Sequence, residues 1–181
     1  ARLPKSGEVK AGIGDYQNVR PIAVEDLLGR PQNVLDRASM RRLIEKETVL
    51  VTGAGGTIGS ELVRQIANSA PARLLLLEAS EFNLYQIERE IRDHFPQLSI
   101  TALLADVRDT AHIGHIFSRY KPSLVFHAAA IKHVPLSELN VEESLLTNVF
   151  GTLAIADACA AHNVRAMVMI STDKAVNPAN V

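Results

Sequence analysis

Shortages in this sequence each remove a class of function. Only one cysteine, Cys159, stands in 181 residues. No intramolecular disulfide can therefore form, and no thiolate metal cluster is expected. Its setting, Ala156-Asp157-Ala158-Cys159-Ala160, reads as a small buried helix residue and not a nucleophile. Long basic runs are absent and the formal net charge is -1, which does not favour nucleic acid as a partner. No apolar run reaches the length of a membrane span, and there is no signal peptide. The expectation is a soluble, cytoplasmic segment. Low-complexity segments are missing too. The sequence begins without Met and stops in a polar run, which reads as a piece of something longer.

Hydrophobic residues make up 47% of the chain, enough for a sizeable core. One stretch organises the rest, Thr48-Val49-Leu50-Val51-Thr52-Gly53-Ala54-Gly55-Gly56-Thr57-Ile58-Gly59-Ser60. Val49-Leu50-Val51 is short, apolar and largely β-branched, as suits a strand buried on both faces. Gly53, Gly56 and Gly59 follow at three-residue spacing. Ile58, Leu62, Ile66 and Ala70 then recur every four residues, the period of a helix. Strand, glycine turn, helix is the context of a dinucleotide fingerprint. The backbone there must turn sharply, approach a pyrophosphate with no Cβ in the way, and aim helix N-terminal N–H groups at it. The bland alternative is a βα turn that binds nothing; strand and helix together favour the nucleotide.

Residues 1–35 read as an arm or connector, and 36–181 as the folded domain. Glu25 to Leu28 is read as one helical turn, and Asp36 to Glu45 as a helix with Leu35, Ala38, Leu43 and Ile44 apolar. Its Arg37, Arg41 and Arg42 are better read as a solvated face than as a phosphate site. Strands are expected at Arg73–Glu78, Ser99–Leu104, Leu124–His127 and Ala166–Ile170. Helix faces are marked by Leu84, Ile87, Ile91 and Phe95, by Ile113, Ile116, Phe117 and Tyr120, and by Leu145, Val149, Leu153, Ala156 and Ala160. The class is α/β: a Rossmann-like, doubly wound parallel sheet of about five strands in the order 3-2-1-4-5, with ligands at the carboxyl ends near the switch point.

Residues just past each strand should line one crevice. Past the second comes Glu78, followed by Ala79 and Ser80. A carboxylate there can accept both ribose hydroxyls of an adenosine and would repel a 2′-phosphate, favouring NAD over NADP. Alternatively, it merely starts the next helix, where acids are welcome. Past the third come Asp106 and Val107, placed to meet the adenine edge, and Asp109, equally at home as a helix start. Past the fourth, Ala128, Ala129 and Ala130 leave room for a flat cofactor; His127 taken alone is more often structural than catalytic. Lys132 and His133 follow at the crevice mouth. Past the fifth, Ser171-Thr172-Asp173-Lys174 offers hydroxyls, an acid and an amine, either an acid/base set or a polar exit from the strand.

Together these stretches resemble the extended short-chain dehydrogenase/reductases, through Thr52-Gly53-Ala54-Gly55-Gly56-Thr57-Ile58-Gly59. More narrowly, the chain resembles the bacterial nucleotide-sugar 4,6-dehydratases of capsule and flagellin glycosylation. That likeness is carried by Ser80-Glu81-Phe82-Asn83-Leu84, Ala105-Asp106-Val107-Arg108-Asp109, Lys132-His133-Val134-Pro135, Thr147-Asn148-Val149-Phe150-Gly151-Thr152 and Thr172-Asp173-Lys174-Ala175. Val19-Arg20-Pro21 to Gly29-Arg30-Pro31 looks like the connector of larger, membrane-anchored members at the cytoplasmic face of the inner membrane.

The resemblance implies a redox-neutral lyase acting on UDP-N-acetylglucosamine. A hydride leaves C4 of the sugar for bound NAD(P)+, the C5 proton becomes acidic, the C6 hydroxyl departs as water, and the hydride returns at C6. By similarity Lys174 is the C5 base, Asp173 the acid at the leaving hydroxyl and Thr172 a partner at O4. Lys132, Ile170 and Ser171 would contact the substrate. Gly53, Gly55, Gly56, Thr57, Ile58, Gly59, Glu78, Ala79, Ser80, Asp106, Val107, Ala128, Ala129, Ala130 and Asn148 would hold NAD, with NADP the alternative; no metal is implied. The family's Tyr or Met, eight positions after Lys174, and its sugar-binding C-terminal part fall beyond Val181. The chain alone is therefore expected to be inactive, and the open edge of the fifth strand to invite homo-oligomerisation. Two rivals are an epimerase or dehydrogenase of the same superfamily and a non-catalytic NAD-binding module.

Overall fold

The computed structural model describes residues 36–172, 175 and 177. The chain divides into two units, Ala1–Asp36 and Arg37–Val181. Expectations for residues 1–35, including the helical turn and the connector, lie outside the described residues, as do those for Asp173 and Lys174.

The second unit alternates helix and strand: α1 (Arg37–Ile44), β1 (Thr48–Thr52), α2 (Thr57–Ala67), β2 (Arg73–Glu78), α3 (Glu81–His94), β3 (Ile100–Leu104), α4 (Thr110–Tyr120) and β4 (Leu124–His127). Then follow α5 (Val134–Leu139), α6 (Val141–Leu145), a π-helical segment (Leu146–Gly151), α7 (Thr152–Ala161) and β5 (Ala166–Met169). The five strands form one parallel sheet in the order β3-β2-β1-β4-β5. The order reverses at β1, whose Thr52 is paired with Leu77 on one side and His127 on the other. The glycine turn therefore sits at the switch point, where a crevice opens between diverging connections.

Alternation along each strand explains the unbroken apolar runs. Leu74 and Leu76 face one core with Val49, Val51 and Leu124, under α2 and α3. Leu75 and Leu77 face a second core with Leu50 and Val125, under α4 and α7. With helices on both faces, the residues of the central strands β1 and β2 find an apolar environment on either side, which is why these strands do not alternate with polar residues. An ion pair between the two helices of the first side adds to it: Arg64 of α2 donates from Nε and Nη2 to both carboxylate oxygens of Glu90 on α3, at 2.6 and 2.9 Å.

Three helix faces differ from the sequence expectation. On α2 the buried residues are Gly59, Val63, Ile66 and Ala67, while Ile58 is 47% exposed and Ala70 lies beyond the helix at positive φ. The stripe turns because Gly59, not Ile58, touches the glycine turn. On the 141–161 stretch, Leu145, Val149 and Leu153 are exposed; Gly151, Ala154, Ile155, Ala158 and Cys159 are buried. Small side chains let this helix lie close to the sheet, so its bulkier stripe points away. On α1, among the described side chains, only Ile44 is buried, with Ala38 and Leu43 exposed. Contrary to expectation, Val141–Ala161 is long and apolar enough to cross a bilayer by length and composition. Here its small-residue face is part of the second core.

Candidate functional site

A crevice of about 330 Å³ opens at the carboxyl ends of β1 to β4, near the low end of the roughly 300–1,000 Å³ typical of ligand clefts. Its walls include Gly53, Gly56, Glu78, Ala79, Asp106, Val107, Ala128, Ala129 and Ala130, all expected from the sequence. Leu77, Asn83, Ala105, Arg108, Ile131, Glu143 and Thr147 complete the lining. Of the remaining cofactor candidates, Gly55, Thr57, Ile58, Gly59, Ser80 and Asn148 are not among the described lining residues, and neither are Lys132, Ile170, Ser171 and Thr172.

The floor is built by close backbone approach. Gly53 has φ 63°, and a Cβ there would stand 2.7 Å from the Ala129 nitrogen. Side chains are excluded on both counts. A Cβ on Gly59 would stand 2.7 Å from the carbonyl carbon of Gly53, so glycine lets α2 begin directly against the turn. The N-cap of α2 is Gly56, with no side-chain cap. By contrast, Ser80 caps α3 by accepting from the Asn83 N–H, and Asp109 caps α4 by accepting from the His112 N–H at 2.9 Å. The first N–H groups of α2 thus have no side-chain acceptor, and the helix dipole favours an anion there. A pyrophosphate fits that cradle: the Cβ-free turn gives it room and the uncapped amides give it donors.

Glu78 anchors the second wall. One carboxylate oxygen accepts from the Gly55 N–H at 3.0 Å; the other accepts from the N–H groups of Ala79 and Ser80 at 3.0 and 3.1 Å. Since Ser80 performs the cap, Glu78 is not needed to start α3. Its carboxylate is held by three backbone donors beside the crevice. A carboxylate has about four acceptor positions, so a ribose diol would have to share or displace one of these amides.

Asp106 forms the third wall. Its Oδ1 accepts from the Arg108 N–H at 2.9 Å, and its Oδ2 accepts from Arg108 Nε and Nη2 at 2.8 and 2.6 Å. The guanidinium, opposed by partial burial, holds this carboxyl below the usual range. Nη1 of Arg108 reaches on to Glu143 Oε2 at 2.5 Å. Asp109, the ambiguous neighbour, serves as the α4 cap.

The fourth wall is fixed from behind. His127 is 1% exposed, with Nδ1 2.7 Å from Thr52 Oγ1 and Nε2 2.9 Å from Thr152 Oγ1. It ties β1, β4 and α7 together, a structural role, and burial pushes its pKa down. Asn148 donates to the Ile131 carbonyl and accepts from the Ile131 N–H, both at 2.8 Å. Its amide therefore holds the loop of Ala128–Ala130 instead of lining the crevice. The π-helical segment carrying Asn148 also brings Gly151 against Val107, where a Cβ would stand 2.7 Å from Cγ2. Lys132 is exposed, and the run after it begins α5, with His133 as N-cap and Pro135 in the first turn. Ser171 and Thr172 are exposed beyond β5.

Arg108, Asn83, Glu143 and Thr147 were missed as lining residues. Asn83, Arg108 and Thr147 lie in runs that carry the family resemblance, but no residue pattern gave them a place at the crevice: three of the four sit on helices or helical segments, and the packing of layers turns them inward. Among the described residues no group of three or more His, Cys, Asp or Glu could hold a metal ion.

A five-stranded doubly wound sheet with a glycine cradle and an acid after β2 defines a Rossmann-like nucleotide-binding domain. Residues 49–181 match the family described as "Polysaccharide biosynthesis protein", and the chain belongs to that family. It is 40% identical over 181 residues to the capsular polysaccharide biosynthesis protein CapD of Staphylococcus aureus, covering 99% of this chain and 30% of that protein. It is 30% identical over 140 residues to a UDP-N-acetylglucosamine 4,6-dehydratase (inverting) of Campylobacter jejuni, covering 77% of this chain and 40% of the other. Among solved structures, Pen from Bacillus thuringiensis superposes with a TM-score of 0.70 at 31% identity, covering 76% of this chain and 42% of that one. A Thermus thermophilus UDP-glucose 4-epimerase in complex with NAD superposes with a TM-score of 0.55 at 26% identity, covering 69% and 37%. The chain thus spans about a third of the length of the curated relatives it matches.

Proposed function

We propose that this chain is the cofactor-binding part of an NAD-dependent nucleotide-sugar 4,6-dehydratase acting on UDP-N-acetylglucosamine. The observation that carries the reading is the crevice itself: an uncapped helix N-terminus behind a Cβ-free turn, with a rigidly held carboxylate after β2. Gly53, Gly56 and the start of α2 would take the pyrophosphate. Glu78 would take the adenosine ribose and turn away a 2′-phosphate, and Asp106 would accept from the adenine amino group. With Glu78, Asp106 and Glu143 around the one guanidinium of Arg108, the described lining carries more acid than base, which also disfavours NADP.

The similarity to the Campylobacter dehydratase supports the choice of reaction. Bound NAD+ would supply the oxidation at C4 that makes the C5 proton acidic. Lys174 would then remove that proton, Asp173 would give one to the departing C6 hydroxyl, and Thr172 would bond O4. Lys132, Ile170 and Ser171 would hold the sugar nucleotide. A cytoplasmic location suits both the cofactor and the substrate. The likeness to a 4-epimerase favours a second reading, in which the same domain serves inversion at C4.

Product analysis separates them. The full open reading frame encoding this chain would be expressed and given UDP-N-acetylglucosamine and NAD. A 4-keto-6-deoxy sugar is the expected product. A galacto epimer would establish the epimerase, and tight NAD binding with no turnover would establish a non-catalytic module. The 181-residue chain alone should bind NAD and turn nothing over.

A further inference from the structure

An ionic bridge joins two of the residues that line the crevice. Arg108 lies in the loop between β3 and α4, and Glu143 lies on α6, 35 residues along the chain. Both line the crevice, from walls that the sheet places on different connections. The guanidinium is fixed on one side by the fork to Asp106 and on the other by the bond to Glu143. This crossing joins the two connections through an ion pair. It stands beside Asp106, at the end of the crevice assigned above to adenine.

We propose that the Arg108–Glu143 pair is a strap over the adenine end of the crevice, which must open for the dinucleotide to enter or leave. The inference rests on the nucleotide reading given above. The strap has properties that suit a gate. Its partners are half-exposed, at 37% and 54%, so the pair is screened by salt and exchanges readily. Opening it costs no backbone hydrogen bond and no core contact, because Arg108 keeps its fork to Asp106. An exposed pair of this kind favours the closed form by about fivefold at most. Since the pair joins protein groups alone and neither partner is assigned a contact to the dinucleotide, its loss should speed entry and exit alike.

The test is stopped-flow binding of NADH, followed by nicotinamide fluorescence, with the full chain and with Glu143→Ala and Glu143→Gln variants. Glu143→Ala should raise both the association and dissociation rate constants about three- to fivefold, leaving their ratio within twofold. Glu143→Gln should fall between. Raising salt to about 0.5 M should move the wild-type rates toward those of Glu143→Ala. Unchanged rates in both variants would overturn the strap. So would a rise in dissociation alone, which would make Glu143 an affinity contact. Failure of the wild-type chain to bind NADH at all would overturn the nucleotide reading and the strap with it, an outcome distinct from wild-type binding with unaltered variants.

Discussion

Gly56 and Gly59 occupy equivalent places in the spacing, yet the structure asks different things of them. A Cβ on Gly59 would stand 2.7 Å from the Gly53 carbonyl carbon, whereas carbon atoms pack best at about 3.5–4.0 Å. The Gly53 carbonyl oxygen would be nearer still, so helix α2 would have to retreat by about 1 Å or more. Gly53 cannot yield, because it is pressed against Ala129 on its other side. Overpacking of this kind costs about 1–3 kcal/mol, from which the better helix propensity of alanine recovers up to about 1. Gly59→Ala should therefore lose about 1–2 kcal/mol, a fall in Tm of roughly 2–8 °C for a chain this size. At Gly56 the backbone is at φ -71°, open to any residue, and a Cβ would meet nothing closer than the Gly53 oxygen at 3.3 Å. Gly56→Ala should leave the Tm within about 2 °C, since the unfolded-state gain and the N-cap loss nearly cancel. Its Cβ would nevertheless stand between the α2 amides and a bound pyrophosphate. Losing one charge-assisted bond, worth about 1.5–3 kcal/mol, lowers NAD affinity roughly tenfold or more. Thermal melts and titration calorimetry on both variants check the pair. Undiminished NAD affinity in Gly56→Ala would refute the pyrophosphate cradle; equal destabilisation by both would refute the packing argument.

Other substitutions probe the remaining walls. Glu78→Ala removes the acceptor of three backbone N–H groups and should weaken NAD about tenfold while narrowing any preference over NADP; titration with both cofactors decides, and a wild-type chain that prefers NADP would retire the ribose argument. His127 is held neutral by burial, its folded pKa below the ordinary 6.5. The unfolded chain takes up that proton first, so this contribution to stability is full above pH 6.5 and is lost as pH falls below it, with a slope of at most about 1.4 kcal/mol per pH unit. Urea denaturation between pH 7.5 and 5 should show that slope in the wild type and a shallower one in His127→Gln. The carboxylates of Glu61, Glu90 and Asp106 are pulled down chiefly by hydrogen bonds, the latter two from arginine, so their contribution is full above the ordinary carboxylate values and is lost only as pH falls below them, outside this window. Cys159 is buried and its thiol is pushed up to about 11. At pH 8 only roughly one molecule in a thousand carries the thiolate, so alkylation should be slow in the folded chain and fast in urea; rapid labelling of the native protein would contradict the burial.

The sequence by itself determined the class of fold. Runs such as Leu74–Leu77, flanked by helical periods and turn residues, leave only strands covered on both faces, and the glycine triplet after the first of them marks the switch point. Glu78, Asp106 and the three alanines were legible for the same reason: each directly follows a strand, and parallel strands deliver their carboxyl ends to one edge. Helix faces were less legible. A four-residue period states that a stripe exists, but not which stripe meets the sheet. On α2 and α7 that was decided by glycine, alanine and cysteine, whose small volume permits close approach and whose hydrophobicity makes no signal. Only the tertiary structure turned Asn148 onto the Ile131 backbone, brought Gly151 against Val107 through a π-helical segment, and laid Arg108 across to Glu143. The last two are meetings of residues on separate connections and the first joins residues 17 apart within one connection; all depend on how elements stack, a quantity that local sequence pattern does not encode.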